Sequence, residues 1–116
     1  GKYYEAIDAY NKVLELDPKR NLAWVNKGKA FFKLGKYDDA IKNFDMVTKM
    51  DPNDASPLYQ KSDALWKLGK HISSILCYLR ALRIDPKPIT DIAEPLVEPV
   101  IELFVEPRLK NLLRRP

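Results

Sequence analysis

Three kinds of side chain in this 116-residue chain could do chemistry: a single histidine, a single cysteine and a recurring aspartate. His71 has no second histidine with which to share a metal ion. Cys77 lies six positions further on, which puts it on a different side of any helix that carries both. Asp17, Asp51 and Asp85 each precede a proline. Aspartate ends helices and opens turns by bonding its own backbone, so that role accounts for all three without acid–base catalysis. The sequence holds no glycine-rich phosphate loop, no Cys/His metal spacing and no nucleophile–base constellation. It reads as a non-enzyme that needs no cofactor and no metal.

What positions these residues is a period. Gly1-Lys2-Tyr3, Gly35-Lys36-Tyr37 and Gly69-Lys70-His71 recur every 34 residues, as do the three Asp-Pro pairs that begin at 17, 51 and 85. His71 therefore stands where the other copies have tyrosine, and the repeat itself explains it. Between the landmarks the apolar residues follow helical spacing. Tyr3, Ile7, Tyr10 and Leu14 share one face over residues 3–15, and Trp24, Gly28 and Phe31 share one over 22–34. Ala40, Ile41, Phe44 and Val47 do so over 37–50. Between Pro57 and Ile84 the core stripe is Leu58, Leu65 and Leu68, then Ile75, Tyr78 and Leu82. Gly35 supplies a sharp helix end, and Gly28 lets a neighbouring helix come close. Cys77 adjoins the core position Tyr78 and fits the role of a small buried hydrophobe.

The unit at 21–54 resembles a tetratricopeptide repeat (TPR), whose pattern runs W-x2-L-G-x2-Y, A-x3-F, P. Trp24, Gly28, Phe31, Ala40, Phe44 and Pro52 carry the likeness, with Lys27 in place of leucine and Phe31 in place of tyrosine. The unit at 55–88 is looser and supplies Leu58, Ser62, Leu65, Ser74, Tyr78 and Pro86. Residues 1–20 keep only Ala6, Tyr10 and Pro18, the second half of a unit. The resemblance implies an all-α solenoid of helical hairpins, about two and a half repeats long. Its first helix would have one uncovered side, as in a fragment of a longer array or a chain that self-associates. Residues 89–116 fall outside the repeat. Their apolar positions, from Ile89 through Phe104, follow helical spacing and predict an amphipathic capping or docking tail, broken by Pro95, Pro99 and Pro107.

Bulk properties narrow the partners. A net charge of +4 is mildly basic, but Lys and Asp are interleaved along every repeat. Arg108, Lys110, Arg114 and Arg115 form a basic end without a continuous track, which argues against nucleic acid. No apolar run is long enough to span a bilayer. One cysteine cannot form an intramolecular disulfide, and a reducing, cytoplasmic setting is the expectation.

The remaining candidate is a surface. In a stack of such repeats the first helix of each unit lines the concave side. That side would present Leu22, Val25, Asn26, Lys29, Phe32 and Lys33 from one unit. The next unit would add Tyr59, Gln60, Asp63, Trp66 and Lys67. Aromatic anchors inside a polar rim have the makeup of a binding hot spot, and the lysines favour an acidic partner with apolar anchors. Chaperone-binding members of the family hold a terminal carboxylate with Asn and basic side chains. Asn26 matches such an asparagine, but Ser56 and Gln60 stand where Lys and Arg are wanted. The expected function is thus a protein-interaction scaffold that binds a peptide on its concave face. The alternative is a homo-oligomeric assembly module joined through the tail and the uncovered first helix.

Overall fold

A computed structural model describes residues 1–86, and the predicted tail at 89–116 lies outside them. The described residues form five α-helices and no strand: α1 (Lys2–Leu16), α2 (Asn21–Lys33), α3 (Tyr37–Met50), α4 (Ser56–Lys67) and α5 (His71–Ile84). Each helix packs chiefly on its neighbours in sequence, α1 on α2, α2 on α3, α3 on α4 and α4 on α5. The result is an all-α solenoid of helical hairpins, as the resemblance implies.

The period seen in the sequence is a period of backbone angles. Asp17, Asp51 and Asp85 close α1, α3 and α5 with φ/ψ of −141°/88°, −137°/84° and −140°/91°. A residue before proline is driven out of the α region into extended backbone, so each Asp-Pro pair stops a helix in the same way. The Asp17 carboxylate then accepts the Lys19 N–H at 3.2 Å. Asp54 does the same for Ser56 at 3.0 Å, ahead of α4. Both are turn bonds, and the first occupies one of the three candidate aspartates.

Within each hairpin the turn is set by glycine. Gly35 and Gly69 have φ of 77° and 80°, a region that costs an ordinary L residue about 1–2 kcal/mol. The N–H of Gly35 donates to the Phe32 carbonyl and that of Lys36 to Phe31. Gly69 and Lys70 repeat the pair with Trp66 and Leu65. These paired reverse bonds satisfy carbonyls that the helix end would leave open.

The core runs along the hairpin seams. Ala40 and Val47 are 0% exposed, and Phe44 fills the space between α2 and α3. Gly28 is required there: a Cβ at this position would lie 2.6 Å from the Phe44 ring. In the α4–α5 hairpin the corresponding pair is Ser62 and Tyr78, both buried. Here hydroxyls replace the bare backbone and alanine. Ser62 Oγ donates to the Tyr59 carbonyl at 2.6 Å, and Ser74 Oγ donates to the Ser62 carbonyl at 2.6 Å. The looseness of this unit in sequence is therefore a set of small polar residues whose hydrogen bonds are made, at sites where an unmade one would cost about 1–3 kcal/mol.

Several expected core positions are only half-buried: Trp24, Phe31, Ile41, Leu68 and Leu82. Trp24 accounts for its exposure with a polar contact. Its Nε1 donates to the Pro18 carbonyl at 2.8 Å and so ties α2 to the end of α1, while Lys27 lies 5.3 Å over the ring.

Candidate functional site

The residues with reactive chemistry are spent on structure. His71 opens α5 and stacks on Trp66, with ring centroids 4.0 Å apart and planes 28° from parallel. One repeat earlier Phe32 and Tyr37 make the matching contact edge to face at 5.1 Å. Cys77 donates its S–H to the Leu58 carbonyl at 3.2 Å. Burial pushes its thiol up to about 11, partly offset by the charges of Lys61 and Arg80. A thiol held protonated at neutral pH is a poor nucleophile. Among the described residues no three of His, Cys, Asp and Glu come together as a metal would need, and no helix is long and apolar enough to cross a membrane.

The surface residues do converge. A cleft of about 160 Å³ opens between α2 and α4, lined by Lys29, Phe32, Lys33, Gln60, Asp63 and Phe44. The helical period explains the first five. Lys29, Phe32 and Lys33 stand at i, i+3 and i+4 on α2, and Gln60 and Asp63 at i and i+3 on α4. Phe44 reaches the floor from α3 past Gly28, where no side chain blocks it. Two lysines thus face one carboxylate across an apolar floor. Gln60 is oriented by its own helix, with Nε2 donating to Ser56 Oγ at 3.1 Å.

A second cleft of about 350 Å³ lies between α1 and α2, where Tyr3, Ala6 and Tyr10 face Asn26, Lys29 and Lys33. Lys29 and Lys33 line both hollows. Read from the sequence, α1 is only a helix with an open side. That Tyr3 and Tyr10 share a hollow with Asn26 needs the packing of α1 on α2 to be seen.

The other members of the expected surface are dispersed. Leu22 is 62% exposed at the start of α2, Val25 is half-buried, and Lys67 is exposed at the end of α4. Trp66 is half-buried and occupied by His71, so it anchors its own hairpin. Tyr59 requires a correction. It is only 7% exposed, its hydroxyl donates to the Asp85 carbonyl at 2.5 Å, and its ring meets Tyr78 edge to face at 5.0 Å. Burial, followed by the charge of Asp85, raises its pKa. The phenol clips α4 to the end of α5 instead of facing a groove. Spacing on α4 could not reveal this, because the partner carbonyl is 26 residues away. Phe44, conversely, is absent from the expected surface because its spacing marks it as core; it is both.

With this geometry in view, comparison with known proteins is informative. The first TPR of Spaghetti (RPAP3), solved with the HSP90 peptide SRMEEVD, superposes with a TM-score of 0.75 at 24% identity, over 88% of this chain and 79% of that one. A crystal structure of MamA gives 0.68 at 27% identity over 73% of this chain and 50% of its own length. A double mutant of MamA RS-1 gives 0.69 at 28% identity over 78% and 51%, so the chain spans about half of either MamA structure. MamA from Desulfovibrio magneticus RS-1, residues 41 to the end, gives 0.71 at 22% identity over 100% and 70%. Among curated proteins no sequence matches. Family descriptions match in register with the repeat: TPR repeat over residues 1–35, and tetratricopeptide repeat over 22–54 and again over 55–88. Sequence period, cap geometry, fold and family match agree, and the chain belongs to the tetratricopeptide repeat family.

Proposed function

We propose that the chain is a non-enzymatic interaction module that binds a peptide or partner segment in the α2/α4 cleft. The observation that carries this reading is the convergence of Lys29, Phe32, Lys33, Gln60 and Asp63 around the Phe44 floor. An apolar hollow with a few polar groups on its rim is the usual form of a recognition site. The two lysines favour an acidic residue beside an apolar anchor, and Asp63 sets the other end of the segment. The HSP90 peptide held by the first TPR of Spaghetti (RPAP3) has that mixture, with two glutamates between methionine and valine. Here Ser56 and Gln60 offer no cation for a terminal carboxylate, so a carboxylate of the segment falls to Lys29 and Lys33. Leu22, Val25, Trp66 and Lys67 lie outside the lining of this cleft. No cofactor enters this function, and the free thiol of Cys77 fits a reducing, cytoplasmic setting.

A random peptide library selected on the folded chain tests this. Enriched sequences should pair Asp or Glu with Leu, Met or Phe, and at least one enriched sequence family should be lost on a Lys29→Glu/Lys33→Glu variant. Survival of every enriched family through this double reversal would show that the α2/α4 cleft takes no peptide.

Self-association is the second reading, favoured by one observation. Tyr3 is 43% exposed and Ala6 half-buried, whereas their repeat mates are more covered: Tyr37 is half-buried against Phe32 and Ala40 is fully buried. A second copy seated on the α1/α2 hollow would bury them. Sedimentation across a wide concentration range decides it: a strict monomer rules out the assembly.

A further inference from the structure

We propose that the groove between α3 and α5 is a second docking surface, on the opposite side of α4 from the first, and that it takes an amphipathic protein segment carrying acidic side chains. A cleft of about 560 Å³ lies there. Its apolar lining comes from Ile41, Leu58, Leu65 and Leu76, and its charges are Lys61, Lys70, Arg80 and Asp38. At 100° per residue, Leu58, Lys61 and Leu65 occupy one side of α4, and Gln60 and Asp63 of the first cleft the other. One ligand therefore leaves the other's site open.

The 34-residue period supplies an internal control. One unit earlier the positions of Leu58, Leu65 and Asp38 hold Trp24, Phe31 and Tyr4. Lys36, the counterpart of Lys70, lies 5.5 Å over the Tyr4 ring. Three aromatic rings thus stand where the later unit has two leucines and a short carboxylate, and the space they would take is the cleft. On α5 the change runs the other way. Ile72 and Leu76, one turn apart, are 66% and 56% exposed. Their counterparts on α3 are Asp38 and Lys42.

Continuation of the solenoid does not explain this apolar pair. Asp38 and Lys42 stay exposed even though α4 and α5 follow α3. A further hairpin stacked on α5 in the same way would leave Ile72 and Leu76 in water.

Charge selects the occupant. Three cations and one carboxylate line the cleft, and only Lys61 has an ion pair among the described residues, with Asp45 at 2.7 Å. An amphipathic segment would bury Ile72 and Leu76 under its apolar side while its carboxylates meet the cations. The floor of the lining is recessed, with Leu58 and Leu65 only 1% and 7% exposed beneath the open Leu76, which suits an inserted side chain better than a flat lipid surface.

The test uses the whole chain and two synthetic helical peptides of one pattern, one of Leu and Glu, the other of Leu and Lys. Binding is read by fluorescence anisotropy in the Lys29→Glu/Lys33→Glu background, which silences the first cleft. The Leu/Glu peptide should bind and the Leu/Lys peptide should not. Asp38→Tyr restores the aromatic of the earlier unit and fills the cleft, and Leu76→Asp replaces an exposed apolar anchor with a charge that repels a glutamate-bearing peptide. Both sites are on the surface, and each change should weaken binding about tenfold or more with the helical circular dichroism signal intact. Absence of Leu/Glu binding, binding that ignores both substitutions, or capture by phosphatidylserine vesicles in preference to the peptide would each overturn the proposal.

Discussion

The two complete hairpins, α2–α3 and α4–α5, share one backbone plan and solve the same packing problem with different chemistry. In the first, Gly28 yields its space to Phe44, and Ala40 lies beneath it. In the second, Ser62, Tyr78 and Ser74 hold the same places, and two hydroxyl bonds take the part of close apolar contact. The first exposes Asp38 and Lys42 on its outer helix, the second Ile72 and Leu76. The caps, by contrast, coincide within a few degrees at Asp51 and Asp85 and at Gly35 and Gly69. Backbone geometry is what the repeat keeps. Packing pairs change together, and the surface changes freely, which is where a partner would be chosen.

The comparison can be broken most forcefully at Phe44. Phe44→Ala should cost about 3–5 kcal/mol in denaturant unfolding, because the ring is nearly inaccessible and spans a seam. Gly28→Ala comes next. Alanine is the better helix former by about 1 kcal/mol, yet its methyl would meet the buried ring, so a net loss of about 1–3 kcal/mol is expected. Combining it with Phe44→Leu should recover part of that loss, whereas Ser62→Ala in the other hairpin should not respond to Tyr78→Leu in this way. Equal behaviour of the two pairs would erase the distinction drawn here.

Smaller effects sharpen it. Gly35→Ala and Gly69→Ala should each cost about 1–2 kcal/mol and match one another, since both residues hold the same positive φ. Tyr59→Phe should cost about 0.5–1.5 kcal/mol through the lost bond to the Asp85 carbonyl. Lys61→Met, which removes a partly exposed ion pair with Asp45, should change stability by about 0.5 kcal/mol or less.

Cys77 adds a pH dependence. Its pKa in the folded chain is raised from 9.0 to about 11, so the fold favours the protonated thiol. That contribution is complete below pH 9 and is lost as pH rises towards 11. Cys77→Ser should flatten this alkaline decline in a pH series of urea midpoints. The same thiol should react slowly with a disulfide reagent at pH 8 until urea is added.

Much of this was legible in the sequence because its causes are local. The Asp-Pro and Gly-Lys landmarks act through the φ/ψ of one or two residues, and they predicted α3 to its end residues, α1 and α2 to within one residue, and the start of α4 and end of α5 to within one. The α2/α4 cleft was half legible. Lys29, Phe32, Lys33, Gln60 and Asp63 followed from helical spacing, but Phe44 did not, because a residue can be core to one hairpin and floor to a groove. Tyr59 and Trp66 show the opposite limit. Spacing placed both on the outward stripe, and long-range partners, the Asp85 carbonyl and the His71 ring, drew them elsewhere. The α3/α5 groove was not legible at all in a single unit. It emerges only when Leu58, Leu65 and Asp38 are set against Trp24, Phe31 and Tyr4.

Amide chemical-shift mapping with the tightest peptide selected from the library tests whether the α2/α4 cleft receives a peptide. Shifts centred on Lys29, Phe32, Lys33, Gln60 and Asp63 are the predicted result. Shifts confined to α1, or to the α3 and α5 residues of the second groove, would contradict it.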